Sequence, residues 1–116
     1  MPELSIESLS LSEAELDTVK KILAAEVPNI SVLAFGSRVK GNPRKYSDLD
    51  LALLTHTPLS LSETARLKDA FDSSNLVWPV DITDWATTSE RFRAIINENF
   101  VRIQYLEWWS IAGSNR

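Results

Sequence analysis

Asp48 and Asp50 stand two positions apart, and Asp50 interrupts a run from Leu49 to Leu54 that otherwise reads as buried strand. On a strand, residues i and i+2 share a face, so this spacing presses two carboxylates together where apolar side chains are expected. Like charges so placed repel each other and resist burial unless a cation lies between them. Mg²⁺, a hard ion that takes oxygen ligands and leaves positions open for phosphate, suits such a pair. Ten residues upstream, Gly36-Ser37 leaves a short apolar stretch, Ile30–Phe35, at what reads as a strand-to-helix turn. There a missing side chain lets phosphate approach the backbone, and backbone N–H groups and the Ser37 hydroxyl can donate to it. Together the two elements imply a nucleotide site.

The charge pattern agrees. Twelve basic against sixteen acidic residues give the chain a net charge of −4, which argues against a general nucleic-acid binder. The segment between the two elements is locally basic, with Arg38, Lys40, Arg44 and Lys45 and no acid before Asp48. A basic loop in an acidic chain suits a triphosphate, and Arg38, just after the Gly-Ser turn, is the best placed of the four. The single histidine, His56, has no partner for a triad or a zinc site, and the absence of cysteine excludes a disulfide framework and thiolate metal ligation.

The elements that must position these groups are readable in outline. Ser12-Glu13-Ala14-Glu15 has the form of a capping box, followed by Leu16, Val19, Ile22 and Leu23 at helical spacing up to Pro28. Strands are expected at Ile30–Phe35, Ser47–Leu54 and Trp78–Trp85. A second capping box, Ser60–Glu63, opens a helix bearing Leu67, Ala70 and Phe71, and a last helix carries Phe92, Ile95 and Ile96. The order helix, strand, strand, helix, strand, helix is that of an α/β layer with a small sheet.

Gly-Ser, ten residues, then Asp-x-Asp between hydrophobic flanks resembles the signature of the DNA polymerase β-type nucleotidyltransferases. The shortness of the chain and the segment Pro79-Val80-Asp81-Ile82-Thr83-Asp84-Trp85 resemble their smallest branch, the minimal nucleotidyltransferases, over residues 12 to 105 or so. The resemblance implies an α/β (α+β) fold: a small mixed sheet with the Asp-x-Asp strand central and helices mainly on one side. It implies a third carboxylate on the Trp78–Trp85 strand. Asp81 matches better, and Asp84, three residues on and facing the other way, is the alternative. In this scheme Asp48, Asp50 and Asp81 are catalytic and hold two Mg²⁺, while Gly36, Ser37 and Arg38 bind the nucleotide. Asp81 would complete the metal site or accept the proton of the attacking hydroxyl.

Family members of this size are paired with a helical HEPN-domain protein, a toxin that they neutralise by transferring AMP from ATP to a tyrosine. The expected function is therefore that of an adenylyltransferase antitoxin in a hetero-oligomer. A non-catalytic subunit that masks its partner by binding, and transfer to a small molecule or to RNA, are the rival readings. Residues 1–116 are expected to form one domain whose nucleotidyltransferase core fills most of the chain, so a separate protein would supply the acceptor. The apolar tail, about 100–112, with Tyr105, Trp108 and Trp109, reads either as a partner surface or as packing under the sheet. No run approaches a membrane span and the N-terminus lacks a signal-peptide pattern, which makes the cytoplasm the expected location.

Overall fold

The first helix begins where its cap dictates. In the computed structural model, which describes residues 3–41 and 47–105, helix α1 (Glu13–Glu26) opens with the reciprocal bonds of a capping box. Ser12 Oγ accepts from the Glu15 N–H at 3.1 Å, and the Ser12 N–H donates to Glu15 Oε1 at 2.9 Å. Helix α3 (Leu61–Asp72) repeats the arrangement with Ser60 and Glu63, and Ser89 caps helix α4 (Glu90–Glu98) through the Phe92 N–H. Each cap satisfies N–H groups that a helix start leaves without intrahelical partners.

Five strands form one sheet among the described residues: β1 (Glu3–Leu4), β2 (Val32–Phe35), β3 (Leu49–Leu53), β4 (Val80–Asp84) and β5 (Phe100–Gln104), in the order β1-β5-β2-β3-β4. A four-residue helix α2 (Ser37–Lys40) follows β2. Strands β2 and β3 pair antiparallel, as do β2 and β5, whereas β3–β4 and β1–β5 are parallel. The sheet is mixed, as the sequence implied. The Asp-x-Asp strand is an interior one, with β2 at the centre and β4 at the edge.

Both faces are covered, unequally. Val19 and Leu23 of α1 and Leu67 and Phe71 of α3 pack on one face against Val32, Ala34, Leu49, Leu51, Leu53 and Val101. On the other, Leu33, Phe35 and Ala52 meet Ile96 of α4. Every residue of β2 is therefore buried, and each fully buried aliphatic side chain contributes about 1.5–3 kcal/mol.

One expectation is corrected. Phe100–Gln104 belongs not to a tail but to an inner strand beside β2: Val101 and Ile103 enter the larger core, and Gln104 Nε2 donates to the carbonyls of Val27 and Ile30 at 2.8 Å each. A two-residue strand at the N-terminus, β1, completes the sheet on that side. Trp108 and Trp109 lie outside the described residues.

Candidate active site

At the start of β3 the sheet lays three segments side by side. Asp50 is in register with Phe35 of β2 on one side and with Asp81 of β4 on the other. Residues in register share a face, so the two carboxylates lie on the face that carries Phe35, Ala52 and α4. Gly36, next after Phe35, adopts φ 84° and ψ −159°, a conformation that side chains strongly disfavour. A Cβ at Gly36 would collide with Asp50 Oδ2 and stand 3.1 Å from its Cγ. The backbone of Gly36 is thus packed directly against the Asp50 carboxylate. At the far end of α2, Gly41 closes the helix in the left-handed region, its N–H donating to the Ser37 carbonyl.

Asp50 is half-buried, and its carboxyl is raised from 3.8 to about 6, first by burial, then by the charge of Asp81, then by that of Asp48. Asp48 itself is exposed and stands one residue before β3, whose first residue is Leu49. Its charge still reaches Asp50. Among the described residues no three acidic or histidine side chains stand close enough to enclose a metal ion, and Asp48 and Asp81 act on Asp50 through charge.

Arg38 is not where a phosphate-binding cation was expected. Its side chain is buried, 5% exposed, with Nε donating to the Ser47 carbonyl at 2.9 Å and Nη1 to the Ser10 carbonyl at 3.0 Å. The guanidinium lies over the Trp78 ring, 4.4 Å from its centroid. Trp78 belongs to the core on the sheet face opposite to Asp50. Lys40 is exposed, and Arg44 and Lys45 lie outside the described residues.

Asp84 is spoken for. Its carboxylate accepts from the Thr55 hydroxyl, from the Leu59 N–H at 2.8 Å and from the Ala86 N–H at 3.3 Å, joining the end of β3 to the turn after β4. Of the two acids on this strand, Asp81 is the one brought to Asp50. A cleft of about 680 Å³, lined by Leu33, Leu54, His56, Trp85, Phe100 and Arg102 among others, lies beyond the opposite end of β3 and contains none of the carboxylates. Charge, rather than concavity, locates the site.

Residues 17–103 match the family model described as "Polymerase beta, Nucleotidyltransferase". The chain belongs to the polymerase β nucleotidyltransferase family. It is 52% identical, over 89% of its own length and 90% of the relative's, to "Probable protein adenylyltransferase MntA" of Haemophilus influenzae, which places it in the minimal branch. Two solved structures share the fold: a toxin–antitoxin with AMP-PNP (TM-score 0.67, 21% identity, 79% of this chain and 75% of that one), and the MntA–HpeT toxin–antitoxin carrying two Asp→Glu substitutions two positions apart (TM-score 0.66, 19% identity, 79% and 75%).

In this nucleotidyltransferase Gly36, Ser37, Asp50 and Asp81 converge on one end of the sheet, with Asp48 at its rim. Sequence reasoning placed Trp78 at the start of a strand and did not anticipate its stacking with Arg38; nor did it give Ser10 any part. The Arg38–Ser10 bond spans 28 positions, and no local pattern announces a contact of that reach.

Proposed function

We propose that this nucleotidyltransferase moves AMP from ATP to a partner protein's hydroxyl, that of a tyrosine on a HEPN-domain toxin, and serves in the cytoplasm as the antitoxin of the pair. The observation that carries the reading is the seating of Asp50 between Gly36 and Asp81. Two neighbouring acids and burial keep its carboxyl from ionising until about pH 6. A divalent cation relieves such crowding of negative charge. All the donors are hard oxygens; the three carboxylates do not by themselves enclose an ion, but Asp48, Asp50 and Asp81 together with the phosphates of ATP would hold two Mg²⁺, which when bound supply charge neutralisation at the reacting phosphate.

The chain's own part is positional. Gly36 leaves room at the backbone, and Ser37 opens α2 beside it; the Ser37 N–H and hydroxyl would hold the phosphates that depart as pyrophosphate. Asp81, exposed and in register with Asp50, would take the proton from the acceptor hydroxyl as its oxygen bonds to the α-phosphorus and the bond to pyrophosphate breaks. Fixing these groups on adjacent strands converts the encounter into an oriented one. ATP and a protein acceptor are supported by the relatives: one is named a protein adenylyltransferase, and the solved ones are toxin–antitoxin complexes, one with AMP-PNP.

Label transfer from α-³²P-ATP by the chain purified with its partner is the test. Wild type is expected to label the partner in Mg²⁺ and not in EDTA, and Asp50→Asn to capture the partner without labelling it. Labelling by Asp50→Asn at the wild-type rate overturns the reading. Neutralisation of the toxin by that non-labelling variant would favour an antitoxin that masks its partner by binding alone.

A further inference from the structure

We infer that Arg38 is a positioning residue for the carboxylate site, and that it holds the metal-binding aspartates rather than the nucleotide phosphates. This rests on the proposed transfer at Asp50. Three separate stretches of chain meet at the Arg38 guanidinium. Nε takes the carbonyl of Ser47, the residue immediately before Asp48. Nη1 donates to the carbonyl of Ser10, whose own N–H donates back to the Arg38 carbonyl at 2.8 Å, so the N-terminal segment is clasped in both directions. The planar face rests on Trp78 in the turn that leads into β4 and Asp81. In that turn the Pro79 carbonyl accepts the Leu49 N–H at 2.9 Å, from between the two aspartates.

The Arg38 backbone is itself in α2, one residue after Ser37. One rigid side chain therefore fixes the distances among the Gly-Ser turn, the Asp48–Asp50 segment and the start of the Asp81 strand. Lysine cannot substitute fully: it lacks the planar fork that reaches two carbonyls while stacking on a ring. The demand on this brace is high because Asp48 stands just before the strand, and because its charge and that of Asp50 push the segment apart.

The experiment uses the full chain, with Arg38→Lys and Arg38→Met compared with wild type below the melting temperature of each. Mn²⁺ serves as the probe of the carboxylate site, its free concentration read by electron paramagnetic resonance, and ATP kinetics are read from label transfer to the partner. Positioning predicts that Mn²⁺ affinity and kcat fall by roughly 10- to 100-fold in Arg38→Met, the usual range for groups that orient metal ligands, with the KM for ATP little changed. Arg38→Lys, which keeps one donor and the charge, should recover part of both losses. If Arg38→Met does not fold, Arg38→Lys decides alone, with smaller losses in the same two quantities.

A melting temperature lowered without change in Mn²⁺ affinity would mean a purely structural role, and a raised KM for ATP at unchanged Mn²⁺ affinity would mean a phosphate contact; either overturns the inference. Asp50→Asn is the control for the underlying reading. Undiminished Mn²⁺ binding in that variant dismisses the carboxylate site itself, whatever Arg38 does.

Discussion

Asp50→Asn should make the metal-free protein more stable while disabling it. In the folded chain the Asp50 carboxyl ionises near 6 rather than at 3.8, so the folded state binds its proton more tightly than the unfolded state does. Stability from this group is then fully present below about pH 4, declines as pH rises towards 6, and is gone above that. At about 1.4 kcal/mol per decade of the ionisation constant, the ceiling on the cost at neutral pH is roughly 3 kcal/mol. Asp50 is only half-buried, and screening by solvent brings the figure to ~1–2 kcal/mol.

Asparagine keeps the shape and removes the charge. In EDTA at pH 7.5 the variant should therefore melt about 4–8 °C above wild type, given the usual entropy of unfolding for a domain of this size. The difference should shrink to nothing by about pH 4, where both side chains are neutral. Adding Mg²⁺ with AMP-PNP should raise the wild-type melting temperature and leave that of the variant in place, because ligand stabilisation follows affinity for the folded state. Differential scanning calorimetry across pH 4–8, with and without the ligands, gives every quantity. A variant that melts at or below wild type at pH 7.5, or a difference that does not vary with pH, refutes the claim that burial and like charge strain this carboxyl.

Other perturbations test neighbouring parts of the site. Gly36→Ala should cost about 1–3 kcal/mol through its backbone conformation alone, and more through the collision with Asp50; chemical denaturation reads the loss, and transfer should vanish with it. Asp81→Asn should lower transfer by orders of magnitude with partner capture and melting temperature retained, since its side chain is exposed; unchanged transfer would remove it from the chemistry. Asp84→Ala should do the opposite, costing about 1–3 kcal/mol by stranding the donors that its carboxylate now accepts while transfer by the folded fraction persists. Trp108→Ala with Trp109→Ala should weaken partner capture by roughly 2 kcal/mol or more for each anchor; a melting temperature lowered by more than about 10 °C would assign the pair to core packing instead.

What the sequence made legible was what is local. Ser12 with Glu15 and Ser60 with Glu63 are capping boxes because the bonding partners are three residues apart, within reach at the start of a helix. The Gly-Ser turn and the acids were legible as a pattern, with Asp48 standing just ahead of the strand that carries Asp50. The pairing that matters, Asp50 with Asp81, comes from register between parallel strands joined through α3, which no spacing rule supplies. Strand β5 was hidden by the run of apolar and aromatic residues that continues past it, although the alternation of buried Val101 and Ile103 with Arg102 and Gln104 is the period of a strand.

Arg38 shows how a motif can point to a site while burial gives one of its members other bonds to make. A cation one residue after a phosphate-binding turn is expected to meet phosphate, and on charge alone it should. Burial reverses the preference: taken out of water, a guanidinium must find acceptors, and the carbonyls of Ser10 and Ser47 and the ring of Trp78 are already in place. The five donors and flat face of arginine fit that setting as no other side chain does. The same charge then does its work one step removed, by fixing where the aspartates stand. A minimal core has few elements with which to hold three repelling carboxylates against one another, so a single residue that links the Gly-Ser turn, the approach to Asp48 and the entry to the Asp81 strand carries a constraint that larger enzymes can distribute.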